Sequence, residues 1–563
     1  MTTWQEFSKT NRGSILNVAD IPRRRFLQNT LTATAGCSAT FMLGKSLFAQ
    51  APASTAARVY LDSRRTMPPL DRNIFGSFLE HLGRAIYEGI YDPGSKLADS
   101  NGFRTDIADE IKHLGVPVVR YPGGNFVSGY NWLDGVGPKK DRPRKLEKAW
   151  NSIETNQFGT NEFMAWCKLT GAKPLMGLNL GTGTAEQAAA LVEYCNVEKG
   201  SKWSDLRREH GVAEPHKVEH WCLGNEMDGP WQIGHMTATE YGMKAADAGR
   251  QMHYVDSSLK LIACGSSGPS MPTYLEWDRQ VLEQCFGYVD GISLHRYYGN
   301  SQETGGDSTK YMALNLAMDR QIMQVGAVCD YVQGRMHAAK KLWLSFDEWN
   351  VWYRNTSGDG NKQAAPHLLE EVYNLEDALL VGGFINTLIR NSDRVKAACL
   401  AQLINVIAPI MTNATGFYRQ TIYYPYAWAL QYAHGAALNV VVESPTYEIA
   451  PPASASNHGG SASEAVPYVD VSGMFDKATG QFSVFLFNRD LANAREAELL
   501  WEDAAPSRVL DSFTLTGNDL KAHNGFDAPQ NVAPKPFDKP TTSNHRTRLE
   551  LPARSYTIIQ FAV

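Results

Sequence analysis

The chain has 563 residues, 43% hydrophobic and 20% charged, too long for one compact core, so two domains are expected. Its formal net charge is −5; six basic and two acidic residues fall in the first 51, which leaves −9 on the remainder. An acidic body excludes a polyanionic partner such as nucleic acid, suits a neutral substrate, and contains no internal apolar run of membrane-spanning length.

Residues 1–51 read as an export signal. Arg23-Arg24-Arg25-Phe26-Leu27 precedes a modestly apolar stretch from Leu31 to Phe48, then Ala49-Gln50-Ala51, a small-x-small cleavage site. That order resembles a twin-arginine leader and implies a periplasmic or secreted protein. Cys37 lacks the apolar neighbour a lipobox wants, since Thr34 stands there. The seven other cysteines show no C-x-x-C and fall in apolar patterns, so they read as buried free thiols.

Residues 52–70 hold one short strand, Ala57 to Asp62, expected to join a C-terminal sheet. Over 71–435 strand and helix signals alternate. Strand-like runs occur at Ile74–Leu79, Val116–Tyr121, Pro174–Leu180, Val218–Leu223, Lys260–Cys264, Gly291–His295, Leu342–Phe346 and Ala397–Ile404. Helical spacing appears at Asp106–Leu114, Thr160–Leu169, Thr237–Tyr254, Tyr274–Phe286, Tyr311–Ala338 and Leu368–Ile389. Eight strands with helical crossovers predict an α/β fold, a (β/α)8 TIM barrel. Over 436–563, short Val/Ile/Phe/Tyr-rich runs with turn-rich spacers predict an antiparallel β-sandwich of jelly-roll type. Ala450–Ala465 and Asn524–Asn544 read as mobile loops.

Two runs end alike. Val218–Glu226 closes on Gly224-Asn225-Glu226, and Leu342–Asn350 on Asp347-Glu348-Trp349-Asn350. Each is an apolar strand that stops at a carboxylate. In a TIM barrel the chemistry sits at strand C-termini, and two carboxylates delivered there form the pair that glycosidic cleavage needs. Other polar residues gather at the remaining strand ends: Glu80-His81, Arg120 to Asn125, Asn179, His295 to Tyr298, and Gln402 with Asn405. A pocket of that kind reads many hydroxyls, because each buried hydroxyl left unpaired costs about 1–3 kcal/mol. Gly123-Gly124 reads as a tight bend and not a phosphate loop, since no Lys-Ser/Thr follows. His81 reads equally as a core histidine or a ligand, and Trp349 as packing. No histidine pair has metal-ligand spacing, so neither metal nor cofactor is expected.

The segments Gly76–Gly89, Arg120–Gly129, Gly224–Gly229, Phe346–Tyr353 and Gln402–Pro409 resemble, in order, those of glycoside hydrolase family 51, the α-L-arabinofuranosidases. The resemblance implies exo-acting removal of terminal α-L-arabinofuranosyl residues from hemicellulose or its oligosaccharides. It implies Glu226 as acid/base and Glu348 as nucleophile. It implies Glu80, Asn125 and Gln402 as furanose ligands, and Asn225 as the contact to the sugar 2-hydroxyl. Tyr297 would sit beside the nucleophile with His295 supporting it, Trp352 would wall the entry, and Arg120 would stand behind a carboxylate. It also implies a homo-oligomer, a hexamer. The chemistry fits these roles by itself. Glu348 must be ionised to attack, and Glu226 must be protonated to release the leaving oxygen, then act as base. This is a retaining double displacement, with carboxyl groups expected about 5–5.5 Å apart. Two other readings share the same carboxylates: an endo-β-glucanase or xylanase with an open cleft, and an inactive sugar-binding protein. Linkage preference would lie in loops 299–310 and 354–366.

Overall fold

The computed structural model describes residues 56–354, 359–450 and 463–563. The export reading of residues 1–51 and most of the loop expected at 450–465 lie outside the described residues.

Eight parallel strands close into a barrel. They are β1 (Gly76–Phe78), β2 (Val118–Tyr121), β3 (Lys173–Gly177), β4 (His220–Leu223), β5 (Lys260–Ala263), β6 (Gly291–Tyr298), β7 (Trp343–Val351) and β8 (Val395–Leu400). Strand β8 closes the ring on β1, with Cys399 opposite Gly76 and Leu400 opposite Ser77. The strands read as continuous apolar runs because both faces are covered, one by the barrel interior and one by helices. All eight expected strands are present.

A helix follows each strand: α1 (Thr105–Leu114), α2 (Thr160–Thr170), α3 (Ala185–Asn196), α4 (Ala238–Val255), α5 (Glu276–Cys285), α6 (Asn315–Arg335), α7 (Leu375–Arg390) and α8 (Tyr423–Tyr432). The sequence reading omits α3 and α8. Helix α3 had a signal: Thr184 and Gln187 form a reciprocal capping box, with Thr184 Oγ1 accepting from Gln187 N and Gln187 Oε1 from Thr184 N. Helix α8 had little, since it is apolar nearly all round and carries Pro425 in its first turn.

The sandwich pairs a seven-stranded with a five-stranded sheet. The larger is antiparallel and centres on Val469–Asp476, Gln481–Asn488 and Ser555–Ala562. The smaller corrects one expectation: Ala57–Leu61 runs parallel to Arg495–Trp501, so this sheet is mixed. A second N-terminal strand, Thr66–Pro69, enters the larger sheet beside Ala436–Leu438. Asn524–Asn544 is anchored, not loose: Asn524 is buried and bonds Val532 and Arg419, and the segment contributes two short strands.

Val59, Val471, Phe482, Leu486, Leu499, Trp501, Leu551 and Phe561 fill the space between the sheets. Phe485, Phe487, Tyr556 and Ile558 face the other way and join the barrel core. They pack on α7, which is buried from Leu375 to Ile389. Contact is close at Gly382, where a Cβ would lie 2.5 Å from the Tyr556 ring. Polar groups cross the same interface. Asp470 of the sandwich accepts from Arg489, Arg390 and Asn386, and the two guanidinium groups hold its carboxyl far below the usual range against the cost of burial. The seven described cysteines are all buried and free, as expected.

Candidate active site

The C-terminal ends of the strands open on a cleft of about 840 Å³, within the range that takes small ligands. Its lining includes Glu80, Asn125, Glu226, Tyr297, Glu348, Trp352 and Gln402. Arg120, Asn225 and His295 are buried beneath these. The structure thus brings every expected site residue together.

Glu348 is buried, 5% exposed. Arg120 Nη1 donates to its Oε1 at 2.6 Å, and the Tyr297 hydroxyl donates to its Oε2 at 2.8 Å. The other end of Arg120 holds Asn225 Oδ1 at 2.8 Å, so one guanidinium from β2 aligns residues after β4 and on β7. Burial keeps Arg120 from water, and the charges of Asp347 and Glu348 hold it firmly protonated.

Glu226 lies on the turn after β4. The turn needs unusual backbone: Gly224 has φ 103° and Glu226 itself φ 44°. A non-glycine residue in that region is uncommon and points the side chain where a regular strand could not. His295 Nδ1 lies 3.0 Å from Glu226 Oε1, and Trp231 Nε1 donates to Oε2 at 2.8 Å. Burial pushes the Glu226 carboxyl up, and the charge of Glu348 adds to that; the His295 and Trp231 contacts oppose it. Glu226, His295 and Glu348 each place one ligand-type atom within 4.8 Å of the others. Such a group could in principle hold a cation. Burial alone would lower His295, but the charge of Glu348 and its contacts to Asp347 and Glu226 push it up to about 10.

Asp347 was not among the expected site residues. Neighbouring strand residues face opposite ways, so Asp347 and Glu348 should not both point inward. A β-bulge makes it possible. Ser293 and His295 of β6 pair with Ser345 and Glu348 of β7, and Phe346 and Trp349 of β7 pair with Ala398 and Leu400 of β8. Strand β7 therefore carries one extra residue against both neighbours.

Glu80 forms the opposite wall. Its Oε1 accepts from Phe126 N at 2.8 Å and from Trp150 Nε1 at 3.0 Å, and its backbone N–H donates to Gln402 Oε1 at 2.9 Å. Burial pushes its carboxyl up to about 8, against those two donors. Gly124 passes between the carboxylates: a Cβ there would lie 3.0 Å from Glu348 Oε1 and 3.3 Å from Glu80 Oε2. The paired glycines are thus a close-approach bend. Asn225 Nδ2 reaches Asn125 Oδ1 at 3.4 Å. Trp352 meets Tyr297 edge-on at 5.3 Å.

Some strand-end residues are not in the site. His81 stacks on Phe126, and its ring nitrogens engage Glu154 and Tyr121, so it belongs to the core. Asn179 bonds Tyr130 and Thr182 and lines a separate hollow of about 190 Å³. Asn405 bonds Arg84 and Thr412. Trp349 is 1% exposed and packs on Phe384. Conversely, Trp150 and Trp231 line the cleft without having been expected. Trp150 arrives on a hairpin, Lys145–Glu147 with Ser152–Glu154, that carried no site-like motif. Trp231 stands five residues past Glu226, an aromatic signal beside a motif already singled out.

A parallel barrel with two apposed carboxylates at its mouth, one raised by burial and one gripped by donors, defines a glycoside hydrolase. Comparison with known proteins narrows this. Residues 110–314 match the family model of the α-L-arabinofuranosidase 1 domain, and residues 347–555 that of the α-L-arabinofuranosidase C-terminal domain. The intracellular exo-α-(1→5)-L-arabinofuranosidase 1 of Bacillus subtilis is 44% identical over 508 residues, 90% of this chain and 98% of that one. The intracellular exo-α-(1→5)-L-arabinofuranosidase of Acetivibrio thermocellus is 45% identical, over 86% of this chain and 95% of that one. The structure of a family 51 α-L-arabinofuranosidase from Bifidobacterium longum superposes with a TM-score of 0.83 at 36% identity, covering 90% of this chain and 99% of that one. The chain belongs to glycoside hydrolase family 51, the α-L-arabinofuranosidases.

One expectation is overturned. The leader implied an exported protein, but both of these relatives are named intracellular. Among the described residues no helix is long and apolar enough to cross a membrane.

Proposed function

We propose that the protein is a retaining exo-α-L-arabinofuranosidase that removes terminal α-L-arabinofuranosyl residues from arabinose-containing saccharides in the cytoplasm. The observation that carries this is the approach of Glu226 and Glu348, which bring carboxylate oxygens within 4.8 Å. Retaining enzymes hold their carboxyl groups about 5–5.5 Å apart, and a nearest-oxygen approach within 4.8 Å accommodates that spacing.

Glu348 attacks the anomeric carbon as a carboxylate, with Arg120 and Tyr297 fixing its two oxygens. Glu226, whose carboxyl burial pushes up, gives its proton to the departing oxygen. A glycosyl ester of Glu348 results. Glu226, now ionised, takes a proton from water, which attacks the same carbon and frees arabinose and Glu348. Glu80, Asn125 and Gln402 read the furanose hydroxyls. Glu80, protonated below about pH 8, both donates and accepts there. Hemicellulose fragments, arabinan or arabinoxylan oligosaccharides, are the substrates of this reading. A homo-oligomer, a hexamer by family resemblance, belongs to it too.

The two other readings fit less well. A polymer-cleaving glucanase needs a cleft open at both ends, and here Glu80, Trp150 and Gln402 close one side. An inactive binding protein would not need both carboxylates with opposed environments. The test is proton NMR of the first product from an α-L-arabinofuranoside. Initial appearance of the α-anomer supports the reading; the β-anomer, or release of glucose or xylose units instead, would refute it.

A further inference from the structure

Behind the two carboxylates lies a third that the mechanism above does not use. Asp347 is 1% exposed and shares the barrel floor with Arg120, His295 and Cys222. Its Oδ1 lies 3.1 Å from His295 Nε2; His295 Nδ1 lies 3.0 Å from Glu226 Oε1. One imidazole therefore bridges Asp347 and the acid/base carboxyl, with each ring nitrogen facing a carboxylate oxygen.

We propose that Asp347 is a positioning residue that acts through His295 to keep the transferable proton on the His295–Glu226 pair. The proposal rests on the retaining reading above, in which Glu226 is the proton donor.

Between His295 Nδ1 and Glu226 Oε1 there is room for one proton, held by either atom. The other nitrogen, Nε2, keeps its own proton only if it has an acceptor, and Asp347 Oδ1 is that acceptor. The anionic Asp347 orients the ring, fixes Nε2–H, and electrostatically disfavours loss of the shared proton. The two groups then titrate as a unit whose apparent pKa belongs to the pair. Gln321 Nε2 donates to the His295 carbonyl at 3.1 Å and holds the backbone beneath the ring.

The surroundings leave Asp347 as the group that biases this pair from behind. Arg120 Nε, from β2, is 3.7 Å from Asp347 Oδ2, and that cation holds Asp347 ionised against its burial. Cys222 Sγ, from β4, lies 3.3 Å from the same oxygen. Cys264, after β5, and Cys399, on β8, also sense its charge. Burial pushes all three thiols up, Cys264 to about 12, so they stay neutral through the working range. Glu348 and Tyr297 face the pair from the cleft side. The bulge in β7 has a consequence here: without the extra residue, Asp347 would face away from the interior whenever Glu348 faced into it.

The experiment compares wild type, Asp347→Asn, His295→Gln and the double variant. It measures kcat/KM against pH on α-1,5-arabinobiose and unfolding midpoints over the same buffers. Asp347→Asn keeps the shape of the side chain and removes the charge. Its alkaline limb should move to lower pH by about one unit or more, and adding it to His295→Gln should change that variant's profile no further. A uniform loss at every pH with the limb in place would mean that Asp347 is merely structural and would overturn the proposal. Multiplicative losses in the double variant would do the same. If Asp347→Asn does not fold, His295→Gln decides: an unmoved alkaline limb overturns the relay, a moved one supports it. If the wild type released no arabinose, the retaining reading itself would fail. The unfolding data would still test Asp347, because loss of stability between pH 7 and 9 must be shallower in Asp347→Asn if Asp347 helps His295 hold its proton.

Discussion

Arg120 and Glu348 form a short charged contact at the barrel mouth, with Nη1 2.6 Å from Oε1. The guanidinium comes from β2 and the carboxylate from β7, so the pair spans the barrel. Both oxygens of Glu348 are engaged, one by Arg120 and one by Tyr297. A carboxylate held this way loses no orientational freedom when it attacks.

Removing that carboxylate gives the most direct prediction. Glu348→Ala should lower kcat on the order of 10⁴-fold or more, as loss of a covalent nucleophile does. Added azide should enter the vacated space and yield a glycosyl azide of inverted configuration. Product analysis by mass and NMR checks this; near wild-type turnover would remove Glu348 from the role.

Loss of the acid/base should depend on the leaving group. A sugar alkoxide needs a proton to depart, and a nitrophenolate needs far less. Glu226→Ala should therefore slow arabino-oligosaccharide cleavage by about 10²–10⁴-fold more than cleavage of activated aryl arabinosides. Deglycosylation loses its base as well, so a pentosyl adduct should accumulate and be visible in intact-protein mass. Equal losses on both substrates, with no adduct, would exclude the assignment.

Trp150 is expected to work through Glu80. Trp150→Phe keeps the ring and deletes the Nε1–H that Glu80 Oε1 accepts at 3.0 Å. Oε1 keeps its Phe126 donor, and loss of one hydrogen bond costs about 0.5–1.5 kcal/mol. KM for arabinosides should rise about two- to tenfold, with kcat changed much less. An unaltered KM would show that Glu80 does not depend on this donor.

Stability should fall toward alkaline pH. Glu80 is pushed up to about 8 in the folded protein, against about 4.3 when unfolded. The folded state therefore holds a proton that the unfolded state lacks. The contribution is full below about pH 4.3 and is lost as pH rises through 8. His295, at about 10 folded and about 6.5 unfolded, has the same sign over a higher window. Each group removes up to about 1.4 kcal/mol per pH unit inside its window, and the windows overlap from about 6.5 to 8. Urea unfolding across pH 6–9 reads the slope, and Glu80→Gln should make it shallower.

The barrel and sandwich should separate energetically at Asp470. Asp470→Ala leaves Arg489, whose side chain is fully buried, without a carboxylate, and leaves Arg390 with Asp319 alone. Breaking a buried pair by removing one partner costs about 3–5 kcal/mol. The denaturation midpoint should drop accordingly, and a loss under about 1 kcal/mol would mean that the arginines find other acceptors.

Much of this architecture was already legible in the chain. The eight barrel strands could be read because a strand covered on both faces is mostly apolar, and the runs at 218–223 and 342–346 each lead to a carboxylate at the mouth. Glu226 and Glu348 stood out for the same reason: a carboxylate at the end of such a run has to be accounted for. What local pattern could not report was anything that depends on a partner from elsewhere in the chain. Alternation along β7 places Asp347 and Glu348 on opposite faces, and only pairing with β6 and β8 shows the extra residue that turns both inward. His81 and Glu80 are neighbours in sequence, yet one enters the core against Phe126 and the other the cleft, decided by which rings and donors surround each. Ala57–Leu61 reads as a strand by composition, but its parallel pairing with Arg495–Trp501, over four hundred residues away, follows from the two sheets closing on a shared core. Trp150 and Trp231 read as ordinary aromatics until the hairpin and the turn after β4 bring their N–H groups to Glu80 and Glu226. Apolar periodicity records which residues must leave water; the hydrogen bonds that set the chemistry of this site join residues far apart in the chain, and only the closed barrel brings them within reach.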